Sequence, residues 1–248
     1  MKTKGYVGIG VFLIFIAYYI YWNHFSENLN LRALSADPGV WGQFGDYIGG
    51  VLNPLLSFIS IVLLIKSLTL QNEANQSLQN ELKRSERTEK LRSFEVLFFN
   101  LLDAQKNLFS SFELHITFSG KPAAKFERTQ AVIELENQIE VQRQSGASDN
   151  EIASYLSTLD DKDQIFGIVR AFYVVVSTVS NKLTDEHGFT ASDRLDHFRA
   201  LVNFTDFSQL RLILICVQFL DFQSTKYIRA SKEFTDVIVE MGLSHDQY

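Results

Sequence analysis

Between Tyr47 and Ile65 the chain runs for nineteen residues without a charged side chain. At about 1.5 Å per residue, a helix of that length covers the roughly 30 Å hydrocarbon core of a bilayer. A second uncharged run, Tyr6–Trp22, covers seventeen residues. Together they predict a two-helix transmembrane hairpin over residues 1–65, with spans at about 6–22 and 47–65 and a connecting loop at 23–46. The 46% hydrophobic content is ordinary for a soluble protein, so the apolar residues are concentrated at the front rather than abundant throughout.

Met1-Lys2-Thr3-Lys4 ahead of an apolar run has the outline of a secretory signal. The run ends, however, in Tyr18, Tyr19, Tyr21 and Trp22, where a signal peptidase needs small residues, and Ala33-Leu34-Ser35 lies too far downstream. An uncleaved span with an aromatic belt at the interface is the expectation. Lys2 and Lys4 precede the first run and Lys66 follows the second, while the loop carries only Arg32 against Glu27, Asp37 and Asp46. The positive-inside rule then puts both termini in the cytoplasm and the loop outside.

The second span carries Trp41, Gly45, Asp46, Gly49, Gly50, Asn53 and Pro54 in or just before it. Gly45 and Gly49 have GxxxG spacing, which lets a second backbone approach closely in lipid. Pro54 removes a donor from the helix and crowds the carbonyl four residues back, that of Gly50, so a kink or local unwinding is expected. Asn53 brings an amide that wants a partner in hydrocarbon. These seven residues are the candidate surface for membrane packing and homo-oligomerisation. Packing within one hairpin and association between hairpins both account for them.

A helical stalk is expected over 66–92, with Leu68, Leu78, Leu82 and Leu91 on a sparse stripe and Asn75 seven residues from both Leu68 and Leu82. Its net charge of +2 favours anionic headgroups. Residues 93–248 carry a net charge of −8. An acidic domain without a basic stripe disfavours broad direct nucleic-acid binding, which needs clustered Lys and Arg. Apolar spacings of three and four residues predict a cytoplasmic α-helical bundle there, making the whole chain all-α. One long helix carries Phe94, Phe98, Leu102, Leu108, Phe109 and Phe112 and breaks at Gly120-Lys121-Pro122. Ser148 caps a short helix, and further helices run over Ile165–Leu183, from Thr190, over Asp206–Phe222 and over Tyr227–Met241. The apolar stretch Leu212–Leu220 is bounded by Arg211 and Asp221, which makes it too short to span and a buried helix instead. The single cysteine, Cys216, lies within it and reads as an inert core thiol.

No catalytic, cofactor or metal site is read from the sequence. The histidines, at 24, 115, 187, 197 and 245, show no HExxH spacing, and there is no phosphate-binding glycine loop, GxSxG elbow or cysteine pair. Asp160-Asp161-Lys162-Asp163 lacks the glycine and distal glutamate of a calcium loop and is expected to cap the next helix. Asp193-Arg194-Leu195-Asp196-His197 is the one cluster with nuclease-like residue types, its candidates being Arg194 and His197.

Two segments, WGQFGDYIGGVLNPLLSFISIVLLIKSLTLQ at Trp41–Gln71 and SFEVLFFNLLDAQKNL at Ser93–Leu108, resemble motifs of the phage abortive infection (AbiC-like) family. The layout of Phe204–Gly242 is similar to that family's C-terminal helices, with Ser208-Gln209-Leu210-Arg211 and Cys216-Val217-Gln218-Phe219 where other residues are usual. The resemblance implies a bacterial inner-membrane protein of antiphage defence, some two-pass members of which are toxic effectors of retrons. Its implied partners are membrane lipid, further copies of itself, and a regulatory protein or a reverse transcriptase with its DNA–RNA product. A membrane effector, a membrane-tethered interaction module and a helical RNase are the functions weighed.

Overall fold

A computed structural model describes residues 4–26, 37–118 and 122–248. Lys2, the loop residues Glu27 and Arg32, Ala33-Leu34-Ser35, and Gly120-Lys121 fall outside them. The described chain is mostly helical and divides into two compact units at Lys83/Arg84.

The first unit holds α1 (Lys4–Ser26) and the first part of α2 (Pro38–Ser110). Helix α2 begins nine residues before the expected span at Tyr47, so part of the expected loop is helical. Pro38 suits a first helical position because its fixed φ is already helical and its missing N–H has no intrahelical partner there. The Asp37 carboxylate accepts from the Gly39 backbone N–H at 2.8 Å and ties down the first turn. The helix then continues for 73 residues, passing Pro54 without a break. The expected unwinding at Pro54 does not occur. Second span, stalk and first domain helix are thus one element.

By length and composition two helices could cross a membrane, α2 and α5 (Gln164–Lys182), and α1 is apolar over Gly8–Asn23. Helix α5 uses its apolar residues inside the second unit, where Ile165, Val169, Phe172, Val176 and Val179 are fully buried.

In the second unit α2 ends at Ser110, short of the expected break, and the chain turns into an antiparallel pair, β1 (Glu113–Ile116) and β2 (Ala124–Glu127). This strand pair departs from the all-α expectation. Its signal is alternation: Leu114 and Ile116 are buried while His115 is exposed. The Glu113 carboxylate takes Lys125 at 2.7 Å and Lys162 at 3.1 Å, and these two ammonium groups pull its pKa down to about 2. Arg128 closes the base of the pair, its N–H donating to the Phe112 carbonyl at 2.9 Å.

Seven α-helices follow among the described residues: α3 (Arg128–Gln144), α4 (Asp149–Leu159), α5, α6 (Ala191–Phe204), α7 (Phe207–Phe219), α8 (Gln223–Ala230) and α9 (Lys232–Glu240). Helix α7 is packed by α3, α4, α5 and α8, which is why Leu212 through Val217 are all buried. Burial pushes the Cys216 thiol well above its ordinary pKa, in keeping with an inert core position. The expected helix Tyr227–Met241 is instead two, broken at Ser231, and ends at Gly242 with φ +76°. Phe172 and Phe198 meet Phe234 edge-on at 5.6 and 5.7 Å, joining α5, α6 and α9.

Phe234→Ala is expected to destabilise the second unit by about 3–5 kcal/mol, read as a lower urea midpoint by circular dichroism. A pH dependence follows from His245, whose ring is buried with Nε2 3.1 Å from Thr235 Oγ1. Burial, aided by nearby Arg229, holds its pKa below the ordinary 6.5. The fold keeps this ring neutral while the unfolded chain protonates it near 6.5, so the stabilisation is full above that pH and declines as pH falls below it. His245→Gln should flatten the decline in thermal midpoint between pH 7 and pH 5.

Candidate association face of the first unit

In the first unit α1 lies against one side of α2 through a row at three- and four-residue steps: Gly10, Leu13, Ala17 and Tyr21. Small residues sit at two positions of the row. A Cβ on Gly10 would sit 4.0 Å from Ile59 Cδ1, and Ala17 is buried. Tyr21 packs edge-on against Phe44 at 4.5 Å and lies 5.7 Å from Tyr47. Further along, Ile9 and Leu13 face Leu55, Ile59 and Val62 across a wholly apolar gap. Around the Tyr21 end, Tyr18, Tyr19, Trp22 and Trp41 are exposed, an arrangement that fits rings at headgroup depth. The Gly10 row went unread in the sequence, although its small-residue spacing was a usable signal.

Apart from Trp41, which lies about five turns from Ile59 on the same side, the candidate residues occupy other sides of α2. Trp41, Gly45, Gly49 and Asn53 follow at four-residue steps, and Asp46, Gly50 and Pro54 form the next row. Trp41 also reaches Phe44, edge-on at 6.3 Å. A Cβ built on Gly45 or Gly50 would meet nothing within 4 Å, and one on Gly49 would meet only Asn53 Nδ2 of its own helix, at 3.8 Å. Asn53 and Pro54 are exposed. Among the described residues, then, α1 is packed by the Phe44–Val62 side while the glycine rows are left open. Ser60 is different, since its hydroxyl donates to its own helix at the Leu56 carbonyl, 2.8 Å, and so asks nothing of a neighbour.

The nuclease-like cluster of the second unit is committed to holding helices together. Arg194 forks onto Glu233 at 2.8–3.0 Å, and its Nη1 donates to the Leu183 carbonyl at 2.8 Å and to Asp185 at 3.1 Å. Asp193 closes the capping box of α6 with Thr190 and accepts from Arg87 at 3.1 Å, and the Thr190 N–H, burial notwithstanding, holds its pKa below the ordinary carboxylate value. His197 Nδ1 lies 2.7 Å from the Asp193 carbonyl, with the ring edge-on to Phe94 and Phe98. Arg194 and His197 therefore do not converge on a common open point. Asp160 caps α5 as expected, accepting from Ile165 N at 2.7 Å and Phe166 N at 2.8 Å. No group of three His, Cys, Asp or Glu side chains among the described residues is placed to hold a metal.

Comparison with protein-family models, curated proteins and solved structures finds no match to this chain.

The two sides of the hairpin should respond differently to added bulk. Ala17→Leu overpacks the α1–α2 contact and should cost about 1–3 kcal/mol, seen as a lower thermal midpoint of the first unit in detergent. Gly50→Leu enters open space and should leave that midpoint unchanged or slightly raised, because leucine is the better helix former.

Proposed function

We propose that this chain is a two-pass membrane protein with both termini in the cytoplasm, and that it acts as an antiphage effector. In this reading the helical second unit senses infection or is restrained by a regulatory partner. On release, hairpins associate through the Gly45, Gly49 and Gly50 rows and perturb the host membrane, killing or arresting the infected cell. One observation carries the reading: the glycine rows and the Asn53 amide are open although a partner helix, α1, is already seated on α2. A polar amide facing hydrocarbon is costly unless another polar group meets it, so an assembled state relieves what a lone hairpin leaves unsatisfied. The likeness of Trp41–Gln71 to the abortive infection motif supplies the biological setting.

A second reading, a tether that recruits or inhibits another protein without harming the bilayer, is favoured by the self-contained core of the second unit. Replacing both spans with an unrelated hairpin separates the two, because a tether keeps its function and an effector loses it.

Induced expression in the presence of a membrane-potential dye should depolarise cells that express the chain. Gly49→Leu and Asn53→Leu should each abolish depolarisation and toxicity while the protein still fractionates with membranes. Phage protection with an unchanged potential would defeat the effector reading.

A further inference from the structure

Below the hairpin, every residue from Ser67 to Lys90 is exposed, although Arg87 near the lower end reaches Asp193 at 3.1 Å. Within that polar stretch, Leu68, Leu78 and Leu82 are each more than half exposed, as are Ile61 and Leu64 just above. Their spacing is regular. Ile61, Leu68, Asn75 and Leu82 recur at seven-residue intervals, and Leu64, Gln71 and Leu78 lie three residues after the first three of them. These are the a and d positions of a heptad, a pattern that fits another helix running alongside with the same repeat. The next a position is Glu89, where a like-charged pair would face itself, and the seam ends there.

We propose that α2 pairs in parallel and in register with α2 of a second copy of this chain along this seam. The occupant is argued from Asn75. An amide at a central a position is unfavourable against apolar residues, and an in-register copy presents to it the one group certain to match, its own amide, with donor facing acceptor both ways. A register slip would set Asn75 against leucine. The parallel sense rests on the two-pass reading, since copies inserted alike in one bilayer run the same way. The pairing does not rest on the effector reading, because a tether would pair identically. Only two to three heptads lie outside the span, too few for a strong coil in dilute solution, so confinement in the membrane is what raises the local concentration enough.

The test is oxidative cross-linking of the full chain in membranes. Leu78→Cys and Leu82→Cys sit at the seam, whereas Gln76→Cys and Asn80→Cys point away from it. The native thiol, Cys216, is buried, so the parental chain is the blank. A parallel in-register pair brings identical seam positions within disulfide range, and the yield of two-chain species should be at least ~5-fold higher at the seam positions than at the outer ones. Adding Asn75→Asp to Leu78→Cys should lower the yield several-fold through like-charge repulsion. Equal yields at all four positions, or no cross-linking at Leu78 and Leu82, overturns the proposal. A yield untouched by Asn75→Asp removes Asn75 as the register residue. Recovery of the chain from the soluble fraction would overturn the two-pass reading and the parallel sense with it, whereas seam cross-linking without depolarisation would defeat the effector reading alone.

Discussion

The backbone hydrogen bonds of α2 are the condition on which the rest depends. A segment in hydrocarbon must satisfy its own N–H and C=O groups, and an uninterrupted helix does so without outside partners. Pro54 threatens that arrangement by removing one donor. The carbonyl it leaves unpaired belongs to Gly50, and a glycine there adds no side chain to the crowding around the ring. The helix is therefore able to run through the proline from Pro38 to Ser110. One consequence is geometric. Because the period does not reset at Pro54, Phe44 ahead of the proline and Val62 beyond it stay on one side of the helix.

That relation sorts the side chains of α2 by what surrounds them. In the first unit α1 faces the row through Phe44, Leu55 and Val62, with Gly10 beside Ile59. In the second unit Phe94, Phe98, Leu102, Gln105 and Phe109 recur at three- and four-residue steps and are buried in the domain core. Gln105 is polar yet placed in that row because Thr205 accepts from its amide at 2.8 Å. Between the two packed stretches the residues from Ser67 to Lys90 are exposed, and Ile61, Leu68 and Leu82, with Asn75 among them, recur at seven-residue steps.

Much of this was legible in the sequence because it depends on local periodicity. The two uncharged runs, the buried character of Leu212–Leu220, the capping box at Ser148 and Glu151 and the cap at Thr190 and Asp193 all follow from residues close in the chain. The misreadings arise where tertiary contacts decide. The apolar face around Phe94–Phe112 suggested a helix reaching Gly120, but the chain gains more by turning at Ser111 and burying Leu114 and Ile116 on a strand. Tyr227–Met241 carried one apolar period but is cut at Ser231, which lets α8 pack on α5 while α9 packs on α6. At the candidate site the glycines were legible from their spacing but their use was not, since whether a small residue receives a neighbour depends on where α1 lies.

The placement of α1 also changes what small residues mean in this hairpin. Glycine and alanine in a membrane helix are usually read as contact points, because the absence of a side chain permits close approach. Here Gly10 and Ala17 of α1 are such points, already engaged by α2. Gly45 and Gly50 have the same chemistry with nothing near them. A glycine within a helix costs about 1 kcal/mol relative to alanine unless close packing or backbone freedom offsets it, and in the helical stretch around Gly45–Gly50 only close packing could do so. Among the described residues nothing lies within 4 Å of a Cβ built at either position. A second backbone along the open rows would recover that cost, and the same helix, followed seven residues at a time from Ile61, presents a seam on which that second backbone could continue.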